Sequence, residues 1–385
     1  MIETKSISEI NEYVGSSVNP LATPEQMYEL YSVPSFESGY PEVISGADIG
    51  STKVTVEEGD VLICKINPRI NRVWVVRHNT EFPLLASSEW IVIRNRKMNS
   101  AFLRWYFSSP KFRMLLTSQV TGMGGSLTRA QPKQVAKYPV PILLREKQDY
   151  IAEILDKVEI LIEKRNTQLT SLDELVKSRF IELFGDPVDN EMQWPTKSLE
   201  EACRVIVDCP HSTPNYTSQN TGFMCIRTSI VKKNYIIWDD IEFISEEEYN
   251  KRIQRKKPEK GDVIYTREGA ILGIAAVIDK ECNVALGQRA MLLSPDANQC
   301  NSIFLCNAMN CDSFLANALK GQSGSASPHI NVGDIKAFKM IMPPIKLQQQ
   351  FAAFVAQVDK SKFVVQKSLQ ELETLKKSLM QEYFG

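Results

Sequence analysis

The chain contains nearly the same helix ending twice. Residues 171–187 read SLDELVKSRFIELFGDP, and residues 371–385 read ELETLKKSLMQEYFG. With a constant offset of 200 residues and no gap, eleven positions are identical, from the pair Gln148 and Gln348 to the pair Gly185 and Gly385. This period is far longer than that of a solenoid repeat. It predicts that an entire structural unit is duplicated.

Each copy ends in a long helix. No proline or glycine interrupts residues 145–184, so this helix would be a rod of about 60 Å. Apolar residues recur at steps of three and four in both copies, which is the coiled-coil pattern. The matching faces predict that the helices pack on each other through Leu155, Val158, Ile162, Leu169 and Leu172 in the first copy and Val355, Val358, Val365, Leu369 and Leu372 in the second. Four cations interrupt these faces and could either set the register or extend to water: Arg165, Arg179, Lys362 and Lys376.

Larger segments between the helices also repeat. Residues 57–70, EEGDVLICKINPRI, match residues 259–272, EKGDVIYTREGAIL, and a glycine-rich loop follows in each copy. Short runs of β-branched residues around these segments predict strands. The predicted fold class is α+β, with two globules in a pseudo-two-fold repeat, separated by a long antiparallel two-helix coiled coil. The predicted domains are globule 1 (1–141), helix 1 (142–187), globule 2 (188–342) and helix 2 (343–385).

The charges are unevenly distributed along a chain whose net charge is −1. Residues 59–139 contain thirteen lysines and arginines against three acidic residues, whereas residues 1–58 contain two against ten. A locally basic surface on a neutral chain is typical of a polyanion-binding protein. The alternative is charge segregation without a function.

Motifs for catalysis and for cofactors are missing from the sequence. The nucleotide loops GxxxxGK[ST] and GxGxxG do not occur. The three histidines, His78, His211 and His329, lack metal-ligand spacing. The stretch DCPHSTP brings Cys209 close to His211, and we favour a turn that presents polar atoms over a nucleophilic site. We predict no catalytic residue, no metal site and no bound cofactor.

The predicted compartment is the reducing cytoplasm. Eight cysteines without CxxC pairs are typical of buried thiols, with zinc binding as the less favoured alternative. No apolar run approaches the ~18–20 residues of a membrane span. The first residues, MIETKSISEINEY, are unlike a secretory signal. We therefore expect no interaction with a membrane.

The order of these features resembles the specificity (S) subunits of type I restriction–modification systems. That order is a globule, a helix ending in FGDP, a second globule and a helix ending in FG. Residues 207–231, the GDV strands and residues 321–353 resemble segments that recur in the target-recognition domains of this family. The first globule departs from the pattern, because its exit VPILLREKQDYIA lacks the Pro-Pro of 343–344 and no DCPH-type segment occurs near its start.

The resemblance implies a non-catalytic subunit that recognises double-stranded DNA. Each globule would recognise one half of a split, asymmetric site. The paired helices would hold the globules apart and dock two methyltransferase subunits. S-adenosylmethionine and the adenine-N6 chemistry would belong to those subunits, and ATP and Mg²⁺ to a restriction subunit where one is present.

Sequence-specific reading of DNA needs forked or amide side chains at the base edges. We expect them after the GDV strands, in the glycine-rich loops and after the DCPH segment. The candidates are Lys65, Asn67, Arg69, Arg72, Ser126, Arg129 and Gln131 in the first globule, and Arg227, Thr228, Arg267, Gln288, Arg289, Ser323, Ser325 and His329 in the second. The alternative for each arginine is an ion pair within the protein or a solvated position.

Two other functional classes remain open. A structural adaptor would use the repeated helices to join two proteins without binding DNA, and the basic region 59–139 argues against it. An enzyme with an unfamiliar site, such as a nuclease or a methyltransferase, would be active as the purified chain with Mg²⁺ or S-adenosylmethionine alone.

Overall fold

The computed structural model describes residues 3–118, 120–121, 128–320 and 328–385. The chain forms two compact units. Unit 1 comprises Met1–Asn166 and Lys367–Gly385, and unit 2 comprises Thr167–Gln366. Each unit therefore contains one globule together with parts of both long helices.

Within its described residues, unit 1 contains a five-stranded sheet, a three-stranded sheet and two strand pairs. The strands are β1 Thr4–Ser6, β2 Ser17–Val18, β3 Met27–Tyr31, β4 Glu42–Ser45, β5 Lys53–Thr55, β6 Val61–Cys64, β7 Val73–Val75, β8 Leu84–Ser87, β9 Trp90–Ile93, β10 Val120–Thr121, β11 Arg129–Ala130 and β12 Pro139–Pro141. The short helices are α1 Ile7–Ile10, α2 Ser100–Ser108, α3 Pro110–Ser118 and α4 Pro132–Val135. The five-stranded order is β2-β5-β8-β3-β4, and the three-stranded order is β7-β6-β9.

Strand β6 carries the sequence VLIC, and all four of its side chains are buried. Successive side chains of a strand point to opposite faces. Val61 and Ile63 belong to the core that includes residues of α2 and α3, whereas Leu62 and Cys64 belong to a second core with Tyr31. The three-stranded sheet is therefore covered on both faces, which explains why β6 reads as a continuous apolar run.

Two helices of 40 residues carry the repeated sequence, α5 Arg145–Phe184 and α11 Ile345–Phe384. Between them, the strands are β13 Thr196–Ser198, β14 Cys203–Asp208, β15 Tyr216–Thr217, β16 Met224–Ile226, β17 Val231–Lys232, β18 Tyr235–Ile236, β19 Glu242–Ile244, β20 Val263–Thr266, β21 Ala275–Val277, β22 Val284–Leu286, β23 Ala290–Pro295 and β24 Lys339–Ile341. The short helices are α6 Leu199–Ala202, α7 Glu246–Arg252, α8 Ser302–Asn310, α9 Asp312–Lys320 and α10 Val332–Ala337.

Unit 2 repeats the architecture of unit 1. Its two four-stranded sheets have the orders β14-β23-β20-β21 and β15-β19-β16-β22. Strand β20 lies between β21 and β23 as β6 lies between β7 and β9, and a parallel pair occurs in each unit, β3 with β8 and β16 with β22. The predicted α+β fold class and its duplicated globule are confirmed.

The Phe-Gly helix endings occupy equivalent aromatic cores. In unit 2, Phe184 packs on Phe304 of α8 with ring centroids 4.8 Å apart. In unit 1, Phe384 packs on Phe102 of α2 with ring centroids 5.6 Å apart. Gly185 follows with a φ of +72°, a left-handed conformation that glycine adopts without strain. The repeated ending is therefore a repeated docking contact between a helix and a globule.

The starts of the two long helices are also held in the same way. The side-chain oxygen of Gln148 accepts a hydrogen bond from the Asn99 amide at 2.8 Å, and that of Gln348 accepts one from the Asn301 amide at 2.8 Å. Each glutamine also donates to a carbonyl just before its own helix, Leu143 or Pro343, and both glutamines are buried. Asn99 and Asn301 in turn cap α2 and α8.

Within each unit, the long helices pack antiparallel. The start of α5 shares a core with the end of α11 in unit 1, and the end of α5 shares a core with the start of α11 in unit 2. Among the predicted packing residues, the structure buries Leu155, Val158, Val355, Val358 and Val365 and partly buries Ile162, Leu169, Leu172, Leu369 and Leu372.

The cations that interrupt the apolar faces contact groups on the opposite helix or beside their own. In unit 1, Lys376 forms an ion pair with Glu159 at 3.0 Å, and the Arg165 guanidinium donates to the Ser368 hydroxyl at 3.2 Å. In unit 2, Lys362 pairs with Asp173 across the two helices. Burial of the Glu159 carboxyl raises its pKa, but the Arg104 and Lys376 charges together outweigh burial and hold the pKa below its usual value. These contacts favour register setting over simple extension to water.

We expect Phe351→Ala to lower the free energy of unfolding of unit 2 by about 3–5 kcal/mol, because it removes a fully buried ring from an aromatic cluster with Phe180 and Phe184. Phe363 lies on the same helix and is 68% exposed, so Phe363→Ala should change it by less than about 0.5 kcal/mol. Urea denaturation followed by circular dichroism measures both. Equal losses from the two variants would contradict the packing described.

Candidate nucleic-acid interface

In unit 2, two parallel strands end side by side and present their following residues on one surface. The Gly287 amide, directly after β22, donates to the Ile226 carbonyl at the end of β16 at 2.8 Å. A Cβ atom at position 287 would lie 2.9 Å from that carbonyl oxygen, so glycine permits the close approach. Arg227 and Thr228 follow one strand, and Gln288 and Arg289 follow the other.

Strands β14 and β20 end near the same surface and are joined there by a buried ion pair. The Arg267 guanidinium donates through Nε and Nη2 to both carboxylate oxygens of Asp208, at 2.9 and 3.1 Å. His211 Nε2 lies 3.1 Å from the same carboxylate. Arg267 is 7% exposed. Its guanidinium is therefore committed to holding Asp208, while His211 lies at the surface.

The segment 208–214 is fixed over the strand ends by a second buried arginine. Arg252 donates to the Ser212 carbonyl at 2.8 Å and to the Leu286 carbonyl at 3.3 Å, and it pairs with Glu248 at 2.6 Å. Gln288 then donates to the His211 carbonyl at 2.9 Å. The sequence gives little sign of this role, because Arg252 lies in the basic run KRIQRKKPEK, where a solvated position is the ordinary expectation.

The remaining candidates of unit 2 lie at or near this surface. Arg289 is exposed with a φ of +68°, a conformation that is uncommon for a residue other than glycine. Arg227 pairs with Glu242 at 3.1 Å and lies over the Tyr216 ring. Thr228 begins a 3-10 helix directly after it. His329 forms an isolated antiparallel bridge with Glu268.

Unit 1 places its candidates at the equivalent strand ends. Lys65 donates to the Ser88 carbonyl, Arg72 pairs with Glu37 at 3.3 Å, and Arg129 pairs with Glu89 at 3.1 Å. The isolated bridge between Ile66 and Arg129 corresponds to the one between Glu268 and His329. Arg69 is exposed in the same loop as Lys65 and Arg72, and Gln131 precedes α4. Ser126, Ser323 and Ser325 lie outside the described residues.

Backbone conformation gives a structural reason for asparagine at position 67, one of the candidates. Asn67 has a φ of +46°, and Gly269 at the equivalent position of unit 2 has a φ of +92°. Asn71 and Gly273 form a second such pair, with φ values of +53° and +78°. Asparagine tolerates the left-handed conformation better than most residues do. Asn67 is therefore suited to the turn, whether or not its amide also contacts a ligand.

The acidic partners of these arginines affect how they could bind an anion. Arg129 and Arg227 are 55% and 39% exposed at their side chains, and exposed ion pairs of this kind contribute about 0–1 kcal/mol each. A base edge or a phosphate can therefore replace the carboxylate at small cost. Arg267 is different, because a buried pair loses several kcal/mol when one partner is withdrawn.

Features of a catalytic centre are scarce in the described part of the chain. None of its histidine, cysteine and acidic side chains form a group of three or more that could hold a metal ion. Cys209 is 1% exposed, and burial raises the pKa of its thiol, so the reactive thiolate is disfavoured. Burial also raises the pKa values of Cys225 and Cys300 to about 12. Within the same residues, no helix is both long enough and apolar enough to cross a membrane.

Comparison with known proteins agrees with this architecture. Residues 192–374 match the family described as the type I restriction modification DNA specificity domain. The specificity subunit of the type I restriction enzyme MjaVIII from Methanocaldococcus jannaschii is 21% identical over 346 residues, which cover 86% of this chain and 80% of that protein.

Two solved structures share the fold across nearly the whole chain. One, reported as the structural basis of complex assembly and conformational transition of the type I R-M system, has a TM-score of 0.58 at 18% identity and covers 99% of this chain and 97% of that chain. The type I restriction-modification system S subunit from M. genitalium has a TM-score of 0.56 at 13% identity and covers 100% of this chain and 96% of that chain.

The matched domain places the second half of the chain in a class of DNA specificity domains, and the two solved structures share the fold. Residues 192–374 carry a type I restriction modification DNA specificity domain, and over most of its length the chain resembles a type I specificity subunit. The resemblance predicted from the sequence is thereby confirmed.

We expect Asp208→Ala to destabilise unit 2 by about 3 kcal/mol or more, because it leaves the buried Arg267 charge without its carboxylate. The double variant Asp208→Leu with Arg267→Met should lie within about 1 kcal/mol of the wild type, because an apolar pair of similar volume replaces the ion pair. Chemical denaturation of the three proteins measures this. A single variant as stable as the wild type would contradict the anchoring role of the pair.

Proposed function

We propose that this specificity subunit is a non-catalytic reader in which each globule recognises one half of a split, asymmetric DNA site. The observation that carries the proposal is the same strand-end scaffold built twice with different side chains. A shared scaffold gives both units the same mode of docking on DNA, and different side chains give the two halves different sequences.

The described surfaces suggest different roles for the candidate residues. Gln288 and Arg289 follow β22 of the parallel pair. A guanidinium matches the edge of guanine, and the Gln288 amide would match adenine after it releases the His211 carbonyl and the Thr213 hydroxyl. Three further arginines would release their glutamate partners and bind DNA instead: Arg72, Arg129 and Arg227. The remaining candidates have no assigned base. We propose Lys65, Asn67, Gln131, Thr228 and His329 as further DNA contacts, and Ser126, Ser323 and Ser325 as DNA contacts from the glycine-rich loops.

We propose a positioning role for Arg267 instead of a DNA contact. Its guanidinium is buried on Asp208, so it positions His211 and the segment 208–214 rather than contacting a base. Arg252 holds the same segment through its hydrogen bond to the Ser212 carbonyl. Loss of either residue would then weaken recognition of a whole half-site instead of changing the preference at one base pair.

The long helices offer surfaces for the methyltransferase subunits. Phe363 and Val364 of α11 are 68% and 66% exposed, and Ile160 and Leu161 of α5 are 48% and 44% exposed. We propose each pair as part of a docking patch, because contiguous exposed apolar surface marks interaction sites. One methyltransferase subunit would dock at each copy of the helix, so that two would join the complex.

The chemistry of the complex would belong to its other subunits. The methyltransferase would bring S-adenosylmethionine and transfer a methyl group to adenine N6. A restriction subunit, where the system has one, would bring ATP and Mg²⁺. The specificity subunit would recognise the target sequence for the complex. It would act in the cytoplasm, where the host DNA is.

We expect Gln288→Ala with Arg289→Lys to relax one half of the recognised motif and to leave the other half unchanged. Each lost bidentate contact removes about 1–3 kcal/mol of discrimination. Lysine keeps the charge of Arg289 but loses the fork that reads guanine. Sequencing of methylated adenines in cells that express the chain with its methyltransferase gives the motif.

The reciprocal variant provides the control. Arg72→Lys in unit 1 should affect the other half of the motif. If both variants relax the same half, or if each relaxes both halves, the assignment of one half to each unit is wrong.

We expect Phe363→Ser with Val364→Ser to weaken the binding of the methyltransferase by about tenfold or more, because both side chains are exposed and apolar. Thr374→Ala on the same helix, whose hydroxyl donates to the Gln370 carbonyl within the helix, should leave binding unchanged. Titration calorimetry with the purified methyltransferase measures both. Unaltered binding of the first variant would exclude this surface from docking.

A further inference from the structure

A cleft in unit 1 lies between the loop after β6 and helix α3. Its volume is about 400 Å³. Arg69 lines it from the loop, and Arg113, Met114 and Thr117 line it from the helix. None of these three helix residues was among the DNA-binding candidates predicted from the sequence. Both arginine side chains are exposed, and both face the same space.

The guanidinium groups of Arg69 and Arg113 have no acidic partner in the described part of the chain. Within the described residues, neither Arg69 nor Arg113 makes a side-chain hydrogen bond or an ion pair, whereas Arg72 and Arg129 on the neighbouring surface each pair with a glutamate. Two uncompensated cations beside one cleft repel each other and attract an anion. The charge of the cleft therefore favours a negatively charged group.

The cleft is not required by the fold, because unit 2 fills the equivalent positions with apolar side chains. With an offset of 202 residues, Arg69 corresponds to Ile271, Arg113 to Leu315 and Thr117 to Leu319. Leu319 packs against the main core of unit 2, and a Leu315 methyl lies close over Gly273. Cations at these positions in unit 1 are thus a feature of that unit alone.

The other surfaces of the cleft suit the sugar beside a phosphate. Met114 lines the cleft and is 67% exposed. The Thr117 hydroxyl donates to the Arg113 and Met114 carbonyls inside the helix. This hydroxyl is therefore used within the helix, and the cleft offers charge and apolar surface rather than a pattern that could distinguish bases.

We propose that this cleft binds the phosphodiester backbone of DNA, with Arg69 and Arg113 on the phosphates and Met114 against the deoxyribose. The proposal rests on the proposed function, because Arg69 shares its loop with the candidate DNA contacts Lys65 and Arg72. The cleft clamps the half-site read by unit 1 without reading its sequence. Unit 2 carries apolar residues at the equivalent described positions, so the two half-sites would be held with unequal electrostatic strength.

The test compares two double variants that remove the same charge from unit 1. Arg69→Gln with Arg113→Gln empties the cleft of cations. Arg96→Gln with Lys97→Gln removes two exposed cations elsewhere in the unit. Fluorescence anisotropy measures the affinity of each complex with the methyltransferase for a duplex carrying the motif and for duplexes with either half scrambled, over a range of NaCl concentrations.

We expect the cleft variant to lose about fivefold or more in affinity on every duplex and to lower the slope of log affinity against log salt by about 0.9 for each phosphate contact removed. The control should change both quantities much less. The motif methylated in cells should stay the same. A cleft variant that behaves like the control would overturn the proposal.

Two further results would also overturn the cleft assignment. Loss of affinity on one duplex alone would make Arg69 or Arg113 a base reader. Normal DNA affinity with weakened methyltransferase binding would make the cleft a site for an acidic protein surface. A wild-type complex without any preferred sequence would contradict the proposed function instead, so the two failures are distinguishable.

Discussion

The docking of each Phe-Gly helix ending into an aromatic core is the contact on which the duplicated architecture depends. Phe184 meets Phe304 and Phe351, and Phe384 meets Phe102 and Tyr106. Each of these rings is buried, and aromatic pairs in such arrangements stabilise by more than their buried area alone. Because the helix that ends in unit 2 begins in unit 1, one chain supplies both units with two antiparallel helix segments. The sequence repeat follows directly from this requirement.

The repeated scaffold separates what must stay constant from what can vary. The buried glutamines 148 and 348, the helix-capping asparagines 99 and 301 and the central strands β6 and β20 serve the same packing in both units. Several side chains at the strand ends, such as Arg69 and Arg289, are exposed and take no part in that packing. Arg69 in unit 1 and Ile271 in unit 2 occupy one scaffold position with opposite chemistry. The proposed reading of two different half-sites would need this division between framework and surface.

The sequence alone predicted the large features because they rest on long patterns. The offset of 200 residues, the uninterrupted helices and the alternating apolar strands each involve many residues, so the duplicated α+β fold and the helix endings were predictable. The site was less predictable because it depends on single contacts between distant residues. Arg267 and Asp208 are 59 positions apart, and nothing in the local sequence shows that they form a buried pair.

Other details of the site were hidden for similar reasons. Asn67 has the residue type of a base reader, but its left-handed backbone gives it a structural use that only the conformation reveals. Arg252 lies in a basic run and is nevertheless buried. Arg113 and Met114 sit on an amphipathic helix whose exposed face carries no motif. Which of the candidate side chains touch bases stays a prediction, because it depends on loop geometry that residue type does not determine.

The central claim is that two units of one design recognise two separate blocks of DNA sequence. Selection of bound duplexes from a random library by the purified complex of this chain with its methyltransferase tests it most directly. The account predicts two blocks of base preference with different sequences, separated by a stretch of fixed length without preference. A single uninterrupted block, or no preference in a complex that assembles normally, would contradict it.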